Sequence, residues 1–155
     1  MNFLIRAIPL DDVAPLLRLD GEGLAAAGAV ELRVDARHTF PCRVSLEDAE
    51  PGERVLLLTY AHQPADSPYR ASGPIYVRRA ARPARLAPGV VPDQQRRRLL
   101  SVRAYDARDW MVSAEVTEGG SLEGVIERMF AEPRVAYLHL HNARPGCYAA
   151  RVDRA

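Results

Sequence analysis

The chain has 155 residues, 48% of them apolar and 26% charged, the balance of an ordinary globular domain with enough aliphatic side chains for its own core. Its 21 basic and 20 acidic side chains nearly cancel to a formal +1, so no global field draws it to nucleic acid or to a membrane. These figures argue against pervasive disorder and against a dedicated nucleic-acid binder, and no apolar run approaches the roughly 18 residues that a membrane span needs.

Residues Asn2 to Ile8 are aliphatic and stopped by Pro9, which predicts a first strand. No basic leader precedes this run and Asp11 and Asp12 follow it, so no signal peptide is expected. Asp11 can cap the next element, where Val13, Leu16, Leu17 and Leu24 recur at helical spacing, with Pro15 tolerable in the first turn and Gly21, Gly23 and Gly28 limiting the helix to short pieces. Val30 to Val34 alternates apolar and charged residues as a strand with one wet face does. Cys42, Val44 and Leu46 alternate with Arg43, Ser45 and Glu47, which predicts a second strand, turned at Glu50-Pro51-Gly52-Glu53 into a hairpin partner at Arg54 to His62. The near-continuous apolar run Val55 to Tyr60 makes that partner the expected most buried strand.

Gln63 to Gly73 reads as a loop and Pro74 to Arg78 as a strand opening on its proline. Arg79 to Val91 lacks periodicity. Pro92 at the first helical position predicts a short helix reaching Leu100. Val102 to Tyr105 and Trp110 to Val116 predict a hairpin, with Trp110, Val112, Ala114 and Val116 on one face, ended by Gly119 and Gly120. Ser121 to Glu132 is the clearest helix: Ser121 as N-cap, Glu123 in the first turn, and Leu122, Val125, Ile126, Met129 and Phe130 on one stripe before Pro133. Val135 to Asn142 and Cys147 to Val152 then form a hairpin about Ala143-Arg144-Pro145-Gly146. Leu138 and Leu140 face a core, while Tyr137, His139 and His141 share the opposite, half-exposed side. The sum is one α+β domain over residues 1–155, with an antiparallel or mixed sheet of about 6–8 strands, two or three short helices and a C-terminal β-hairpin.

Phe40-Pro41-Cys42-Arg43, Gly52-Glu53, Ser67-Pro68-Tyr69-Arg70, Gly73-Pro74-Ile75, and His141-Asn142-Ala143 with Gly146-Cys147-Tyr148 follow one another in an order that resembles the bacterial family catalogued as domain of unknown function 1203. The resemblance spans nearly the whole chain. It implies a bacterial, single-domain, cytoplasmic protein, and it brings no catalytic residue, substrate or cofactor.

Several residue groups could carry chemistry. His139 and His141 project to one face of a strand about 6–7 Å apart, so both imidazoles could converge on a metal ion if His62, Cys42 or His38 supplied a third ligand. The plainer reading is a polar sheet face. Cys147, after Pro145-Gly146, could be a nucleophile with His141 as base. A four-residue turn pairs it with Asn142 and sets it on the Leu140 side, away from both histidines; a five-residue loop reverses that parity. Cys42 is the second thiol. Two cysteines without CxxC spacing suit a reduced cytoplasmic protein, and each could equally be a small buried apolar group. All 21 basic residues are arginine, so no side-chain amine is available for a Schiff base.

Tyr69 and Arg70, with Arg78, Arg79 and Arg43 beside Gly73, could bind carboxylate or phosphate through bidentate guanidinium forks, or could be surface arginines of a lysine-free chain. Gln94 to Arg98 places three successive arginines around a helix rather than on one face. Glu47, Asp48, Glu50 and Glu53 crowd a wet turn unsuited to acid–base work. There is no Walker loop, GxGxxG or GxSxG.

The leading expectation is a domain that binds a small anionic molecule in a concavity lined by His62, Tyr137, His139 and His141, with Tyr69, Arg70 and Arg43. Two alternatives stand beside it. One is a hydrolase or transferase dependent on a metal at His139, His141 and His62 or on Cys147, Cys42 and His141; the other is a structural or oligomerisation module. No motif names a cofactor.

Overall fold

In the computed structural model, which describes residues 2–155, the strands are β1 Phe3–Arg6, β2 Val30–Arg33, β3 Arg54–Gln63, β4 Ala71–Arg78, β5 Leu99–Tyr105, β6 Met111–Glu118, β7 Tyr137–Asn142 and β8 Tyr148–Arg154. The helices are α1 Ala14–Leu17, α2 Gly21–Ala26, α3 Asp93–Arg96 and α4 Leu122–Phe130. Strands β1-β8-β7-β5-β6 form an antiparallel five-stranded sheet, and β2-β3-β4 an antiparallel three-stranded one. This is the α+β class expected from the sequence, with the β7–β8 hairpin at its C-terminal end. No helix among the described residues is long and apolar enough to cross a membrane.

The five-stranded sheet buries Leu100, Val102, Ala104, Leu138, Leu140, Ala150 and Val152 against the predicted stripe of α4, Leu122 to Phe130. Each leucine or valine among them, removed from water, contributes roughly 1.5–3 kcal/mol. Ser121 stands at the N-cap position of α4 but makes no side-chain cap bond. A second core joins Leu56, Leu58, Ile75 and Val77 of the three-stranded sheet to Val13, Leu24, Cys42, Val44 and Tyr148. Trp110 and Val116, on the edge strand side of the larger sheet, remain exposed.

Several local expectations are corrected. Residues 42–47 are not a strand: Cys42 N bonds Glu47 O, Leu46 N bonds Cys42 O, and Leu46 has φ 54°, a tight loop rather than an extended run. The alternation arises because Cys42 and Val44 enter one core and Leu46 the other. The hairpin partner of β3 is therefore β2, reached by a longer connection. Strand β3 is central in its sheet, yet β7 is the strand with all six residues buried. Asp11 caps nothing; Asp20 Oδ1 accepts from Gly23 N and caps α2 instead. Pro92 is the N-cap of a helix that ends at Arg96, and Leu99 and Leu100 open β5. Strand β4 begins before Pro74, whose missing amide is tolerated on an edge strand.

Candidate functional site

The odd-numbered face of β7 behaves as its side-chain parity requires: Tyr137, His139 and His141 turn away from α4. That face is buried, not half-exposed, with His139 at 1% and His141 at 2%. The cover comes from the end of β3. Between Tyr60 and Gln63 the β3–β4 register slips by one residue, a bulge that lets the consecutive residues His62 and Gln63 both reach the larger sheet. Gln63 Nε2 donates to Tyr137 Oη at 2.8 Å, and Tyr137 Oη donates to Asp109 Oδ1 at 2.6 Å. A second bulge, in β8, pairs His141 with Tyr148 directly after Leu140 with Ala150, which turns the Tyr148 ring onto the histidine side.

The structure thus brings together three of the four histidines named from the sequence, His62, His139 and His141, and leaves His38 apart. Ring centroids lie 6.2 Å apart for His62 and His139, 5.2 Å for His62 and His141, and 6.3 Å for His139 and His141. Tyr148 stacks on His62 at 5.1 Å and meets His139 edge-on at 5.1 Å. Burial drives His139 down to about 3, helped by His141, His62, Arg151 and Arg103. Burial also drives His141 down to about 4, against the pull of the Gly146 carbonyl. Both rings are neutral at pH 7, and burial lowers His62 as well.

His141 Nδ1 lies 3.0 Å from Gly146 O, which can only accept, so Nδ1 carries the proton and Nε2 the lone pair. That Nε2, with Nδ1 of His62 and Nδ1 of His139, is buried without a hydrogen-bond partner. Neutral imidazoles with free nitrogens are the commonest metal ligands. Here, however, Arg103 and Arg151 stand directly across the strands on either side of His139, a positive surrounding that opposes a cation. Among the described residues no group of three or more His, Cys, Asp or Glu side chains is arranged to hold an ion.

A second feature sits at the end of the same hairpin. A concavity of about 560 Å³ is lined by residues that include Arg43, Arg97, Arg98, Asn142, Arg144 and Cys147. Arg43 is 1% exposed. Its Nε donates to Tyr148 O at 2.7 Å, its Nη1 to Pro41 O, and its Nη2 to Cys147 Sγ at 3.0 Å. No carboxylate among the described residues pairs with it. Lost hydration pushes the Arg43 guanidinium below its ordinary value, and the Cys147 sulfur opposes that shift. Arg98 pairs with Asp48 at 2.8 Å and Arg97 with Asp93 at 3.5 Å, whereas exposed Arg144 has no partner among the described residues. One carboxylate, Glu118, also lines the space.

Most of the other residues named from the sequence fall elsewhere. None of His62, Tyr137, His139, His141, Tyr69 and Arg70 lines this concavity. Tyr69 packs edge-on against Tyr105 and Trp110, and Arg70 is exposed. Arg78 pairs with Glu47 and Glu53, and Arg79 with Glu31, so neither joins Arg43 in one anion site. His38 does line the concavity, its Nδ1 3.2 Å from Asp48 Oδ2, and so lies apart from the other rings. Cys42 is wholly buried, its sulfur accepting from Ser45 N and Arg78 N. Cys147 pairs with Asn142, as the four-residue turn requires, and the His141 ring is committed to Gly146 O rather than to the thiol. Asn142 and Arg144 carry no binding signal in the sequence. The available signal was Arg43 itself, a charge set among Pro41, Cys42 and Val44.

A family model described as a protein of unknown function, DUF1203, matches residues 39–154. The chain belongs to that family. No curated protein and no solved structure matched the chain.

Proposed function

We propose that this family member binds a small anionic molecule, with the ligand seated in the concavity beside the β7–β8 turn rather than among the histidines. One observation carries the reading: Arg43 is a charge held out of water, lining a hollow, and no carboxylate among the described residues pairs with it. Burying an unpaired ion costs several kcal/mol, and an anion in the hollow would offset that cost while accepting charge-assisted bonds. Arg144 at the rim adds an uncommitted guanidinium, and Asn142 a donor amide.

The ring cluster has a supporting part in this reading. His141 holds the Gly146 carbonyl and so fixes the turn that presents Arg144 and Cys147. Citrate and inorganic phosphate are suitable probes. At low ionic strength each should raise the melting temperature of the protein above that in chloride, and the rise should shrink in Arg144→Ala and as salt approaches 0.15 M, where the screening length is about 8 Å. Equal rises in the parent protein and in Arg144→Ala would point to general salt effects and end the proposal.

A further inference from the structure

The two cysteines differ in exposure and in the groups that meet their sulfurs. Cys42 is wholly buried with its sulfur occupied by two backbone amides. Cys147 is partly exposed and lines the concavity, and its Sγ accepts from Arg43 Nη2 at 3.0 Å with Asn142 Nδ2 at 3.6 Å. The arginine cannot swing away, because Nε and Nη1 are tied to the carbonyls of Tyr148 and Pro41. An arginine donor beside an accessible sulfur is the setting in which thiolates act as nucleophiles. Arg43 is 1% exposed, lines the same hollow and pairs with no carboxylate among the described residues, and its charge selects for reagents that bring negative charge.

Resting on the anion-binding reading above, we infer that Cys147 is a thiol-exchange site for small disulfides that carry carboxylates. The Cys147 proton leaves to solvent and Sγ attacks one sulfur of the disulfide. The S–S bond breaks, a mixed disulfide forms at Cys147, and the other half departs as a thiolate. Electrons balance within the exchange: the departing half is reduced as Cys147 is oxidised. Cys42, the only other thiol in the chain, is closed off and does not resolve the mixed disulfide. The product therefore persists until an external thiol removes it, which makes Cys147 a site of reversible modification.

The test uses the intact protein and two disulfide reagents: dithiobis(nitrobenzoate), which carries two carboxylates, and dithiodipyridine, which carries none. Rates are followed by release of the coloured thiol and compared with those of N-acetylcysteinamide, a neutral free thiol. The folded protein should release one equivalent of thiol, lost in Cys147→Ser. Relative to the free thiol it should favour the carboxylated reagent on the order of tenfold, with the preference falling in Arg144→Ala and at high salt. Citrate binding by Cys147→Ser separates the two proposals. If citrate still binds but the parent protein shows no preference for the carboxylated reagent, the exchange site is overturned and the binding reading stands. If neither is seen, both fall.

Discussion

The imidazole of His62 and the phenol ring of Tyr148 lie stacked, centroids 5.1 Å apart and 14° from parallel, although one belongs to the three-stranded sheet and the other to the five-stranded sheet. The contact roofs His139 and His141 and keeps both rings out of water. Their protonation is consequently linked to folding. In the folded chain His139 and His141 titrate near 3 and 4, below the 6.5 of an unfolded histidine, so between those values the unfolded chain binds more protons. Stability then rises with pH. It should be complete above about 6.5, fall as pH drops through that value, and level off only near 4 for His141 and 3 for His139. Each histidine contributes up to about 1.4 kcal/mol per pH unit inside its window. Urea unfolding between pH 7 and 4 should show the slope, and His139→Asn should make it shallower. A slope unchanged in that variant would mean that His139 takes no part in the acid sensitivity.

Tyr137→Phe should cost about 1–3 kcal/mol, because it strips the buried Gln63 amide of its acceptor without giving it access to water. Gln63→Leu in the same background should recover part of the loss. Denaturant midpoints of the two single variants and the double variant check this; a neutral Tyr137→Phe would show that water takes the phenol's place.

Gly119 and Gly124 should respond oppositely to alanine. A Cβ on Gly119 would stand 2.0 Å from the Gln95 carbonyl oxygen and 2.7 Å from Arg96 Cα, so backbone must move. Gly119→Ala should lower stability by about 2–4 kcal/mol. Gly124 is exposed within α4 and a Cβ there meets nothing within 4 Å, so Gly124→Ala should raise stability by about 0.5–1 kcal/mol. Thermal melts of both variants decide the signs.

Arg43 and Arg144 should separate support from recognition. Arg43→Met leaves the Pro41 and Tyr148 carbonyls without their donor, about 1–3 kcal/mol each, a loss partly offset by removing the buried charge, so stability should fall. Arg144→Ala removes an exposed side chain with no partner and should change stability by less than about 0.5 kcal/mol. If Arg144→Ala proved equally destabilising in urea, the residue would be part of the scaffold and not free to meet a ligand.

Much of this architecture was legible in local sequence. Helix α4 and the β7–β8 hairpin each bury one stripe or one parity against one core, so periodicity reports them directly. The loop 42–47 misled because its alternation comes from a buried turn touching two cores, and period two records burial parity without recording pairing. The same parity placed Tyr137, His139 and His141 on one face. It gave no warning that residues some 75 positions earlier, His62 and Gln63, would cover that face through a bulge. The hollow around Arg43 was still less visible, because its walls come from residues near 40, 97 and 144, which share no local pattern.

The pairing of β1 with β8 has a consequence for synthesis. In the larger sheet β7 and β8 lie between β1 on one side and the β5–β6 hairpin on the other. On the ribosome the flanks emerge before the middle, and Phe3 and Ile5 must wait for residues 148–154 before they have a ladder to join. A nascent chain still lacking β7 and β8 would carry open hydrogen-bonding edges on both sides of an empty slot. Shielding by a chaperone, or quick arrival of residues 137–154, would then decide how much of the product reaches the native state.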